Sequence, residues 1–128
     1  MASPSRKAPA GLRILIVEDD PGFADSLALL LGMSGHQVEV APSGPLGIEA
    51  ARQAKPDVVL LDIGLPGMSG YEVARQLCAG PSAGRPVLVA MTGYGQEEDR
   101  RRTREAGFEH HLVKPVDPEV IRQLLARS

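Results

Sequence analysis

Five short apolar runs, each followed by a stretch with helical spacing, constrain this chain more than any other feature of it. The first, LRILIV over 12–17, is a continuous β-branched-rich run of the kind buried on both faces of a parallel sheet. It stops at Glu18-Asp19-Asp20-Pro21, where Asp20 reads as an N-cap and Pro21 as the first helical residue. Phe23, Leu27, Leu30 and Leu31 then recur at helical spacing, and Gly35 ends the segment. The pattern repeats with strands predicted at 37–40, 57–61, 86–91 and 109–113. The intervening helices run from a Ser43 cap to about 54, over about 71–79, over 96–106 up to Gly107, and from an Asp117 cap to about 127. Strands alternating with helices imply a parallel sheet covered on both faces and joined by right-handed crossovers. The expected fold is an open, doubly wound α/β domain of flavodoxin-like type, with five helices and strand order 2-1-3-4-5.

Composition narrows the function classes. A chain of 128 residues has room for one core, so residues 12–128 are expected to form a single domain and residues 1–11 (MASPSRKAPAG) a tail or linker. With 14 basic and 16 acidic side chains, a net charge of −2 and no tryptophan, the chain has no electrostatic or stacking footprint for nucleic acid. The single cysteine, Cys78, excludes an internal disulfide, and no Cys/His spacing suggests zinc. No apolar run is long enough to span a membrane and the start lacks a secretory signal, so a reducing, cytoplasmic setting is expected.

Ligands of such folds bind outside the carboxyl ends of the strands, near the point where the winding reverses. There the chain places Glu18 and Asp19 after the first strand, Asp62 at the end of the third, Thr92 after the fourth and Lys114 after the fifth. With strands one and three adjacent, three carboxylates share one cleft and need a compensating cation; hard oxygen donors with room for water suit Mg²⁺. An aspartate beside such a cation, facing a hydroxyl and an ammonium, suits nucleophilic acceptance of a phosphoryl group. Taken singly, each residue has a simpler reading: a helix cap, the start of a turn, or a solvated lysine. Their coincidence at four strand ends carries the functional reading.

ILIVEDD (14–20), PDVVLLDIGLPGMSGYEVARQL (56–77), PVLVAMTGYGQEEDRR (86–101) and AGFEHHLVKPVDPE (106–119) closely resemble the receiver domain of two-component response regulators. The resemblance implies that Asp62 is the phosphoacceptor, loaded from a histidine of a partner kinase or histidine phosphotransfer domain. It implies that Glu18 and Asp19 bind Mg²⁺ (or Mn²⁺ in its place) with Asp62 and the Gly64 backbone carbonyl. Thr92 and Lys114 would hold the phosphoryl oxygens, and the Lys114–Pro115 bond is expected to be cis. Such a domain is a signalling switch rather than an enzyme, although it loads and unloads its own phosphoryl group. Its output goes to a protein partner on the last helices and strand.

His111 departs from the family pattern, in which Tyr or Phe usually fills the switch position three residues before the lysine. The expectation is that its coupling to Thr92 is weaker or pH-sensitive, the alternative being a half-exposed polar residue on an edge strand. The resemblance places Gly64 and Tyr94 at the variable positions flanking the acceptor that in this family tune phosphoryl loss; Gly64 would leave one side open to water and Tyr94 could shield the other. The glycines of GLPGMSG are read as backbone turns, Cys78 as packing, and Arg100-Arg101-Arg102 with Arg104 as a solvated helix face. His110 and His111 point to opposite faces of a strand and do not form a metal pair. The competing classes are a Mg²⁺-dependent phosphohydrolase, which would need an acid where Gly64 stands, and a receiver-like interaction module that takes no phosphate. The chain ends just after the last helix without an output domain, as expected of a stand-alone receiver or, slightly favoured, the C-terminal receiver of a hybrid histidine kinase.

Overall fold

All five apolar runs are strands of one parallel sheet in a computed structural model that describes residues 11–79, 84–93 and 97–126. In chain order the elements are β1 (Arg13–Val17), α1 (Pro21–Met33), β2 (Gln37–Ala41), α2 (Gly44–Ala54), β3 (Val58–Asp62), α3 (Gly70–Leu77), β4 (Val87–Thr92), α4 (Glu97–Ala106), β5 (His110–Val113) and α5 (Pro118–Ala126). The strand order is β2-β1-β3-β4-β5, so β1 and β3 are neighbours, with Val17 opposite Leu61. The tail over 1–10 and Tyr94 lie outside the described residues.

The sheet sorts its side chains by parity. Leu15, Val17, Val59, Leu61, Leu88 and Ala90 face α2, α3 and α4, while Ile14, Ile16, Val58, Leu60, Val89 and Met91 face α1 and α5. Every residue of β3 is buried, which is why its sequence is an unbroken apolar run. The helix starts follow the cap chemistry read from the sequence: the Asp20 carboxylate accepts from the N–H groups of Gly22 and Phe23, and the Ser43 hydroxyl from that of Leu46. Asp117 accepts from the Glu119 N–H at 2.9 Å. Gly35 and Gly107, with φ of 97° and 106°, provide the left-handed turns after α1 and α4.

The differences are small. Thr92 is the last residue of β4 rather than the first beyond it, and α3 begins at Gly70, capped by Ser69. Asp57 lies outside β3 and accepts the Arg13 N–H at 2.8 Å instead. The buried stripe of α1 is Ala24, Leu27 and Leu31; Leu30, expected on that face, is 43% exposed. No described helix is long and apolar enough to cross a membrane.

His36, between α1 and β2, is a buried polar residue that the sequence pattern did not single out. Its Nδ1 has no hydrogen-bond partner, and burial holds its imidazole below the ordinary histidine value of 6.5. The unfolded chain therefore takes up a proton that the fold resists, so this residue's contribution to stability falls as pH drops below about 6.5. His36→Leu should flatten the loss of stability on acidification, by up to about 1.4 kcal/mol per pH unit, as read from urea midpoints at about pH 7.5 and 5.5.

Candidate functional site

At the carboxyl edge of the sheet, the adjacency of β1 and β3 brings two acids together. Glu18 follows β1, Asp62 ends β3, and both side chains are buried, at 1% and 7% exposure. Asp19 is exposed beside them, and the three carboxylates offer oxygens within 4.8 Å of one another. Burial first, then the charge of Asp62, raises the Glu18 carboxyl above its ordinary value, against the Asp20 N–H and the Lys114 ammonium.

The compensating charge comes from β5. Lys114 follows that strand, its N–H bonded to the Thr92 carbonyl at 2.7 Å, and its peptide bond to Pro115 is cis, as expected. Its Nζ lies 3.1 Å from Asp62 Oδ2 and 3.2 Å from Glu18 Oε1. Burial alone would push this ammonium down, but the hydrogen bonds and charges of Asp62 and Glu18 outweigh it and hold the group above its ordinary value. Nζ also sits 5.9 Å from the ring centroid of Phe23 on α1, a neighbour that the sequence reading assigned only to the helix core.

Backbone geometry fixes Asp62. Its Oδ1 accepts the Gly64 N–H at 3.0 Å, tying the carboxylate to the loop that follows it. Gly70 closes that loop by donating to the Ile63 carbonyl. A Cβ on Gly70 would come within 2.7 Å of both the Asp62 carbonyl oxygen and Ile63 Cα, so only glycine fits there. Gly47 plays the same part beneath β1, where a Cβ would meet Val17 Cγ2 at 2.8 Å. Of the glycines of GLPGMSG, Gly64 lies in the turn after β3 and Gly67, at φ 85°, in the loop, whereas Gly70, read from the sequence as a turn, is the first residue of α3 and serves close helix packing.

Thr92 is buried at the end of β4, on the sheet face that carries Ala90. His111 pairs with Ala90 across β4 and β5, and His110 with Val89, which places the two histidines on opposite faces. Cys78 packs partly buried against the core on the α3 side.

The donor set fits a hard divalent cation: three carboxylates at one edge, one of them open to solvent, with a lysine now neutralising the buried pair. Replacing Lys114 by Gln leaves Glu18 and Asp62 facing each other without that ammonium. The variant should lose about 1–3 kcal/mol of stability in chelator-treated solution and recover most of it in millimolar Mg²⁺, as measured by chemical denaturation.

Residues 14–126 match the family model of the response regulator receiver domain. PilH of Pseudomonas aeruginosa is 40% identical over 109 residues, covering 85% of this chain and 90% of that protein. The chemotaxis protein CheY4 of Vibrio cholerae superposes with a TM-score of 0.85 at 25% identity, over 92% of this chain and 98% of that one. The receiver domain of the sensor histidine kinase PA1611 of Pseudomonas aeruginosa superposes with a TM-score of 0.81 at 29% identity, over 92% and 97%, and that structure holds a magnesium ion in its active-site cleft. Family model, relatives and fold agree: this chain belongs to the response regulator receiver domains, the phosphorelay switches of two-component signalling.

Proposed function

We propose that Asp62 is the phosphoacceptor of this receiver, loaded from a phosphohistidine of a histidine kinase or histidine phosphotransfer domain. The observation that carries the reading is the Lys114 ammonium poised between the buried carboxylates of Asp62 and Glu18, with Asp19 beside them. In the transfer, an Asp62 carboxylate oxygen forms a bond to phosphorus while the N–P bond of the donor breaks and the imidazole leaves. Gly64 N–H, already on Oδ1, holds the carboxylate in place during attack. Lys114, freed from ion-pairing with a carboxylate that has become an acyl phosphate, turns to a phosphoryl oxygen, and the Thr92 hydroxyl donates to another.

Glu18, Asp19, Asp62 and the Gly64 backbone carbonyl would hold Mg²⁺, with Mn²⁺ able to replace it. The ion supplies neutralisation of charge that develops on the transferring phosphoryl oxygens. The domain covers residues 12–128, works in the cytoplasm, and acts as a switch that loads and unloads its own phosphoryl group rather than as a turnover enzyme. Its loaded state is read by a protein partner at α4, β5 and α5, without contact to nucleic acid by this domain. A phosphohydrolase reading is less well supported, because Gly64 stands where such an enzyme needs a second acid.

Incubation with Mg²⁺ and acetyl phosphate should add one phosphoryl mass to the intact protein, abolished in Asp62→Asn and by chelation of Mg²⁺. No gain in mass, together with failure to bind beryllofluoride, would return the chain to a non-phosphorylated interaction module. Gly64 tests the lifetime of the phosphoryl group. A Cβ there would sit 3.8 Å from Asp62 Oδ1, an ordinary contact, so a side chain is tolerated. Gly64→Met should cover that side of the acceptor and lengthen the half-life of the phosphorylated form, followed by mass spectrometry after the donor is removed.

A further inference from the structure

The first turn of α1 is bonded directly to the acid cluster. The Asp20 N–H donates to Glu18 Oε2 at 3.1 Å, and the Asp20 carboxylate accepts the N–H groups of Gly22 at 3.1 Å and Phe23 at 3.4 Å. This cap fixes the backbone of Phe23 relative to Glu18. The Phe23 side chain is partly buried and packs against the core on the side of α1 and α5. The Lys114 ammonium lies over its ring, with Nζ 5.9 Å from the centroid.

The same ammonium bonds Glu18 Oε1 and Asp62 Oδ2, while the Asp20 N–H holds Glu18 Oε2 and the Gly64 N–H holds Asp62 Oδ1. Every oxygen of the buried pair thus has a donor, and Lys114 is the charged one. A divalent cation drawing on the same pair meets that ammonium at close range, and like charges repel. Whatever holds the ammonium in place therefore opposes the ion. The ring is such a hold, because its electron-rich face attracts a cation. The Lys114 side chain is 32% exposed, so water screens the contact less than on an open surface. At 5.9 Å the contact is near the outer limit for such attractions, which puts its effect at the small end of their range.

We propose that Phe23 is a positioning residue of the site: its ring holds the Lys114 ammonium on the two carboxylates, and so sets how readily a divalent cation takes their charge from it. The competition rests on the reading of Glu18, Asp19 and Asp62 as metal ligands; the contact between ring and ammonium does not.

Titration of the full chain with Mg²⁺, followed by amide NMR, measures the competition. Phe23→Leu should bind Mg²⁺ about two- to fivefold more tightly than the native protein. Fluorinated phenylalanines at position 23 weaken the negative face of the ring at nearly constant shape. They should fall between the two in order of fluorine count, and Phe23→Tyr should stay native. In a Lys114→Gln background, Phe23→Leu should leave the affinity unchanged, because no ammonium remains to be held. Urea midpoints in chelator measure the contact by itself: they should fall along the fluorine series, and the fall should vanish in Lys114→Gln. Unchanged or weaker Mg²⁺ binding in Phe23→Leu overturns the proposal, as does a flat fluorine series or an effect that survives Lys114→Gln. If Phe23→Leu does not fold, the fluorinated set decides alone. A native protein that takes no Mg²⁺ sinks the metal reading and the competition with it, while the urea series still decides the contact.

Discussion

The ammonium of Lys114 makes the rest of this site tolerable. Two carboxylates at the ends of adjacent strands, both nearly cut off from water, repel each other, and burial together with that repulsion raises the Glu18 carboxyl. One amine within 3.2 Å of both restrains that, and it comes from 96 residues beyond Glu18 in the chain. The same arrangement keeps the site ready for chemistry. A cation on a flexible stem can be displaced by a divalent ion or redirected to a phosphoryl group, whereas apolar packing at the same place would stabilise the fold and do nothing else.

Holding that cluster in register is a backbone problem solved by small residues. Gly70 lets the start of α3 lie directly on the Asp62–Ile63 backbone, and Gly47 lets α2 lie against Val17, one residue before Glu18. The acids therefore stand on a surface pinned from below by close helix packing rather than on a loose loop. On α4 the described buried side chains are Thr103 and Ala106, with Arg102 over the Tyr71 ring of α3.

Much of this was legible in the order of residues because parallel strands buried on both faces leave continuous apolar runs, and polar residues that end such runs fall at one edge. Asp20, Ser43 and Asp117 announced helix starts through chemistry confined to a few neighbouring residues. Leu30 misled, because periodicity places it near the buried stripe of α1 while the neighbouring elements cover only Ala24, Leu27 and Leu31. Thr103 was invisible inside RRRTRE, a stretch that reads as a solvated charged face. Its partner on β5 is His111, which the turn after α4 and the β4–β5 pairing bring beside it. His36 escaped for a similar reason, since nothing local distinguishes a buried histidine from an exposed one.

The sequence by itself determined the alternation of strands and helices, the caps, the turns, and the set of chemically capable residues at the strand ends. These depend on short-range sterics, on capping, and on burial patterns that repeat every two or 3.6 residues. Tertiary structure decided which carboxylate faces which, where the Lys114 ammonium rests, which glycines are compelled by a neighbouring backbone, and that His111 meets Thr103. Each of those is a distance between residues far apart in space-filling order or brought together by a turn. Electrostatics and hydrogen bonding act on such distances, not on sequence separation.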